Sequence, residues 1–291
     1  MTREELEAAS AWESEDAVPG RPAMTELRRR LRLQQSRWRE AHGHPAGTQP
    51  IVPKPGRPSR LVGSRLPLDY AQETGANFLT PAARAAARDR LAVVEPNQSI
   101  DRQRIWADLL WSPALAFNLF SDEAVQRALA PDVTEVRFAH SPGWLDPAYL
   151  GSLRAFDALL VLDDGGFLAV DVKYHERAKV EQPKPENMWR YSEVAERSGV
   201  FAAGAIDELA GRSDLAVLWL EHLLAHSMLQ HESGGWRRGR FVVVRPAGNS
   251  DIAGLCERYR DLLVDDSTFA EVTLEELPLP GPVRERYLPA A

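Results

Sequence analysis

At 291 residues the chain is long enough to bury a full core, as one large domain or as a domain carrying an arm. A hydrophobic share of 44%, a charged share of 26% and a net charge of −7 exclude a chain that is basic throughout, though not one with a local basic groove. The single cysteine, Cys256, excludes an internal disulfide, and the charged start MTREELEAAS lacks a signal-peptide core.

No run of about 18 apolar residues offers a membrane span, so a cytoplasmic, membrane-free protein is expected. Residues 1–23 are acidic and polar, run into Val18-Pro19-Gly20-Arg21-Pro22, and are expected to be mostly disordered. Thr25 is placed to cap a helix from Glu26 to Ala41. That helix carries Arg28, Arg29, Arg30, Arg32, Arg37 and Arg39 beside an apolar stripe of Leu27, Leu31 and Trp38. It either grips phosphates or presents a solvated face on an arm. His42 to Ser59 is rich in Pro and Gly and reads as extended. Residues 24–75 are thus expected to form a basic helix and an extended arm, and residues 76–291 the main domain.

In that domain Ala82 to Ala92 reads as a helix with Pro81 at its start. Asp101 to Phe120 is a hydrophobic helix interrupted near Ser112-Pro113, with Trp106 and Trp111 assigned to the core. Asp122 to Ala130 is a short helix stopped by Pro131, and Val133 to Phe138 a first strand. Phe156 to Glu176, FDALLVLDDGGFLAVDVKYHE, holds two apolar runs around Asp163-Asp164-Gly165-Gly166 and reads as a β-hairpin. A charged loop, Lys179 to Pro185, follows; then helices over Ser192 to Phe201 and Leu215 to Gln230, the latter with Trp219 in the core. A strand over Gly239 to Arg245, a helix over Ile252 to Val264 and a last strand over Phe269 to Leu274 complete the order.

The hairpin concentrates charge where charge is expensive. Asp157 opens its first strand, and Asp171 and Lys173 close the second on one face. Such groups cost several kcal/mol unless paired or metal-bound. A two-residue loop at Asp164-Gly165 pairs Asp157 with Val172, on the wrong face. A three-residue loop through Gly165 pairs it with Asp171 or with Lys173, and glycine suits the left-handed position that such loops need. An odd-length loop or a bulge is therefore expected.

This hairpin resembles the core of the PD-(D/E)XK nuclease superfamily. Asp157 matches the first acid, Asp171 the second and Lys173 the lysine. The wider chain is similar to a family of bacterial restriction endonucleases assigned by sequence. The similarity runs through NFLTP (77–81), SPALAFNLF (112–120), FDALLV, VDVKYHE, RYSEVAERSGVF (190–201) and LWLEHLLAH (218–226). It implies an α/β fold of restriction-endonuclease type: a three-layer core, a central mixed sheet flanked by helices, and here an extended N-terminal arm. It also implies a Mg²⁺- or Mn²⁺-dependent endodeoxyribonuclease acting in restriction, defence or repair. Asp157, Asp171 and the carbonyl of Val172 would hold the metal, and Lys173 the attacking water. Double-strand cleavage by this fold calls for two sites, hence a homodimer. The alternatives are a catalytically silent nuclease-fold protein that binds nucleic acid or a partner, and RNA in place of DNA as the substrate.

Glu135 is a candidate upstream glutamate, and Glu176 a supporter of the lysine or of a second metal. Ala139 stands where an acid is expected, and Val217 and Leu220 where the family carries glutamine and arginine. His222 and His226 share a helix face at a spacing that zinc can use, but with no third ligand in evidence a core or groove-lining place is the preferred assignment. Ser112, Ser198 and Cys256 lack the setting of a catalytic nucleophile. With acids crowded together, Asp171→Asn is expected to hold or raise the melting temperature.

Overall fold

The computed structural model describes residues 1–13, 22–56, 58–211, 213–232 and 235–288. The N-terminal part comprises α1 (Arg3–Ala8), α2 (Pro22–Ala41), and the short strands β1 (Gly47–Gln49) and β2 (Arg60–Val62). Four helices follow, α3 (Leu68–Thr74), α4 (Pro81–Ala92), α5 (Arg104–Ala107) and α6 (Ser112–Phe120). Then come α7 (Glu123–Leu129), β3 (Val133–His140), β4 (Phe156–Leu162) and β5 (Gly166–Val172). The rest is α8 (Met188–Ser198), α9 (Ala205–Ala210), α10 (Ala216–Gln230), β6 (Arg238–Arg245), α11 (Ser250–Arg260), β7 (Phe269–Thr273) and α12 (Gly281–Tyr287).

β3 to β7 form one sheet in sequence order. The first three strands run antiparallel and the last two pairings are parallel, so the sheet is mixed. Alternation along β5 divides the core. Leu168, Val170 and Val172 join Leu160 and Val244 under α4, α5 and α6, while Phe167 and Ala169 join Leu159 and Val243 under α8, α10 and α11. Helices therefore cover both faces, giving the expected three-layer α/β fold.

Local signals explain several boundaries. Thr80 caps α4 by accepting from Ala83 N at 3.1 Å, with Pro81 at the first helical position. The hydrophobic stretch 101–120 splits as expected, into α5 and α6, with Pro113 in the first turn of α6. The hairpin loop is Asp163-Asp164-Gly165, three residues, with Gly165 at φ +81°. A side chain there would be strained, so the turn selects glycine and with it the register.

The N-terminal segment departs from expectation. Residues 3–8 form a helix with a capping box between Thr2 and Glu5, and Leu6 and Ala11 are buried against Leu33. This corrects the reading of disorder for residues 1–13; residues 14–21 of that reading lie outside the described residues. α2 starts at Pro22 rather than after Thr25. Its Arg32 is buried and paired with Glu13 at 2.6 Å, so part of the arginine stripe faces inward. The extended segment after it pairs β1 with β2 antiparallel. α12 clasps α2: Arg286, fully buried, donates to Gln35 Oε1 at 2.9 Å and to Asn77 Oδ1 at 2.6 Å, and lies over the Trp38 ring. No described helix is long and apolar enough to cross a membrane.

Candidate active site

The cross-strand register runs Leu160↔Leu168, Leu159↔Ala169, Ala158↔Val170. One step further sets Asp157 opposite Asp171, the first of the two pairings that a three-residue loop allows. The Asp157 carboxylate accepts from the Val172 backbone N–H at 2.8 Å, which ties the first acid to the neighbouring strand. Lys173 lies just beyond β5, and its ammonium stands 2.5 Å from Asp171 Oδ2 with both side chains largely buried. Backbone bonding fixes this end: Lys173 N donates to Val244 O at 2.7 Å. The Asn249 side chain, which also caps α11 through Ile252 N, donates to the carbonyls of Lys173 and Glu176.

A fourth charged side chain enters from the helix layer. Glu221 of α10 is buried, 8% exposed, and accepts from Arg154 at 2.7 Å through Oε1. Its Oε2 has no hydrogen-bond partner. Arg154, at the entry to β4, also reaches Glu181 of the charged loop. Burial raises the pKa of Glu221, and the nearby Asp171 raises it further, against the pull of Arg154 and Lys173. Burial alone would favour a neutral Lys173. Asp171 first and Glu221 next outweigh it, so the amine holds its proton more tightly than a free lysine does.

Asp157 shows the opposite imbalance. Burial pushes its carboxyl well above the usual aspartate range, and repulsion from Asp171 adds to that, beyond what the Val172 N–H and Lys173 recover. Asp157, Asp171 and Glu221 set three carboxyl groups against two cations, Lys173 and Arg154. A divalent cation answers that deficit, and two carboxylates are the donor set that Mg²⁺ accepts while keeping several waters. Among the described residues no further carboxylate, histidine or cysteine closes to ligand spacing on this pair.

Other expected residues fall into place or out of it. Glu176 Oε1 accepts from the Ser112 hydroxyl at 2.6 Å and Oε2 from His175 N at 3.0 Å, which anchors the strand's exit to α6. Ser112 thus acts as a structural donor; it also accepts from Tyr174 N. Glu135 stands opposite Val161, four residues along β4 from Asp157, and is held by Arg137 at 2.8 Å. It is exposed to solvent. His222 and His226 are buried in the core, as preferred from sequence. His222 contacts Tyr259 Oη at 3.1 Å, Thr268 Oγ1 at 3.0 Å and His226 at 3.1 Å. Trp106 and Trp219 are core residues, but Trp111 is only half-buried, with the Arg104 guanidinium 5.2 Å from its ring. Glu221 and Arg154 were not singled out by sequence. The available signal was a lone acid among Leu218, Trp219, Leu220, Leu223 and Leu224, all buried.

A mixed sheet between two helical layers, with an acid pair and a lysine at the open end of an antiparallel hairpin, defines an α/β/α protein of nuclease type. The model of the PD-(D/E)XK nuclease superfamily matches residues 22–278, and the chain belongs to that superfamily. Its members generally hydrolyse phosphodiester bonds with divalent metal ions. No curated protein and no solved structure matches the chain.

Proposed function

We propose that this protein is a Mg²⁺-dependent endodeoxyribonuclease. The observation that carries the reading is the cross-strand placement of Asp157 and Asp171 with Lys173 against them. Asp157, Asp171 and the Val172 carbonyl would hold the metal. A divalent ion bound there supplies a water of low pKa and a Lewis acid for the phosphate. Mn²⁺ meets the same demand.

The chain's own groups do the rest. Lys173 keeps its proton, so it serves as a donor rather than a base: it orients the attacking water and stabilises charge growing on phosphate oxygens. Glu221, itself paired with Arg154, favours the charged form of Lys173 from the α10 side. The products would be 5′-phosphate and 3′-hydroxyl ends. Two such sites, in a homodimer, would cut both strands of a duplex.

The test is incubation of the full chain with supercoiled plasmid and with linear DNA in Mg²⁺, Mn²⁺ or EDTA. Nicking or linearisation in either metal, abolished by EDTA, supports the reading. DNA binding without any cutting in either metal overturns it in favour of a silent nucleic-acid-binding protein.

A further inference from the structure

Beside the first acid lies a pocket that the chemistry described so far does not use. It opens between the end of β3, the start of β4 and the α5–α6 corner, with a volume of about 140 Å³. Its walls include Ile105, Trp111, Ala139, Trp144, Leu153 and, at its inner end, Asp157. The register Phe138↔Ala158 and His140↔Phe156 sets Ala139 opposite Asp157 on the other side from Asp171. Thus an alanine, where the family pattern leads one to expect an acid, gives room next to the first acid in place of another charge.

The pocket walls are fixed by backbone strain and by side-chain hydrogen bonds. Ala139 adopts φ +43°, a left-handed conformation that costs a non-glycine residue energy. Arg90 secures it by donating to the carbonyls of Phe138 at 2.8 Å and Ala139 at 3.1 Å. Trp144 is pinned by its indole N–H to Glu95 Oε2 at 3.0 Å. At the rim, Leu153 is 46% exposed and Trp111 offers part of its ring. An exposed leucine and a half-buried tryptophan around a fixed cleft offer a contact surface for something partly apolar.

We propose that this pocket takes one unpaired base of the DNA substrate, next to the phosphate that is cut. This rests on the nuclease reading and adds a substrate class to it: DNA in which the base flanking the cut is free of its partner, as in a single strand or at a bulge. Three features select that occupant. The pocket shares Asp157 with the acid pair, so whatever fills it lies against a phosphate bound there. Apart from Ser99 and Asp157 its walls are apolar and aromatic, which disfavours a phosphate or sugar and favours the flat faces of a base. Its volume, about 140 Å³, is of the order of a single base. A base locked in a duplex cannot enter without leaving the stack.

The experiment compares cleavage of one sequence as a single strand, as a full duplex, and as a single strand with an abasic nucleotide flanking whichever phosphate is cut. The full chain is used with Mg²⁺ or Mn²⁺. Removing or pairing that base is expected to slow cutting roughly ten- to a hundredfold, the effect of losing a stacked base. Trp111→Ala, checked for an unchanged far-UV spectrum, should cut the three substrates at similar rates. If Trp111→Ala does not fold, the abasic arm decides alone. Equal rates on all three substrates by the parent protein would overturn the subsite and leave the nuclease reading intact. So would a folded Trp111→Ala that keeps the parent's preference. Absence of cleavage on every substrate would overturn both.

Discussion

The hairpin β4–β5 carries acids at both ends, and the two ends behave in opposite ways. At the turn, Asp163 and Asp164 meet Asp132 within ligand distance of one another, the one such trio among the described residues. There Arg238 pairs with Asp164 at 2.5 Å and with Asp132 at 3.1 Å in the open, and that hydrogen bond holds the Asp164 carboxyl below its ordinary range. At the open end Asp157 and Asp171 are sheltered by helices, and burial drives the Asp157 carboxyl up. Three acids close together make a good cluster by distance alone. Exposure, with an arginine already in attendance, makes it a satisfied surface feature. The sheltered pair has an unmet charge, and that is what marks a site.

The largest contrast should come from Asp171→Asn. Metal-dependent cutting should vanish, as read by plasmid nicking. The buried ion pair with Lys173 also reverses the sequence-level expectation for stability. Removing one partner leaves an uncompensated ammonium and should cost up to about 3–5 kcal/mol in denaturant unfolding. An unchanged or higher stability would mean that Lys173 finds full compensation in Glu221.

Lys173→Ala should come next. Loss of a well-placed electrostatic contact slows single-turnover cutting on the order of 10²–10³-fold at saturating metal and DNA. Without metal the variant leaves Asp157 and Asp171 facing each other, so it should melt lower, and Mg²⁺ should restore it by binding the native state. Parental rates at saturation would confine Lys173 to a structural role.

Glu221→Gln removes a charge behind the lysine rather than at the reacting centre. Cutting should slow on the order of tenfold, the lower end for partners that orient a site from outside it. Affinity for DNA should hold. Smallest of all, Asp163→Asn together with Asp132→Asn at the turn should leave the cutting rate unchanged and shift stability by only about 0.5 kcal/mol. A large loss of activity there would transfer the metal site to the wrong end of the hairpin and undo the comparison.

Sequence reasoning reached the fold where local chemistry decides it. Pro81 after Thr80, Asp122 before α7, and Asp-Asp-Gly between two apolar runs each fix an element by their own caps and turns. It failed where the decisive partners are distant. Arg286 lies on α12, to which no element was assigned from sequence, and it is fully buried with Gln35 and Asn77 as partners from hundreds of positions away. The acids and lysine of the site were legible from one hairpin. Glu221 and Arg154 were not, since their meaning comes from α10 lying over the open end of that hairpin. The register was narrowed to two pairings by loop length, and Gly165 with Ala158↔Val170 selects one.

The most direct test of the account is a thermal-shift titration with Mn²⁺ on the parent protein, Asp157→Asn, Asp171→Asn, and the turn variant Asp132→Asn/Asp163→Asn. The account predicts that the parent and the turn variant gain equally in melting temperature as Mn²⁺ rises, and that neither open-end variant gains. Equal gains in all four proteins, or a gain lost only in the turn variant, would contradict it.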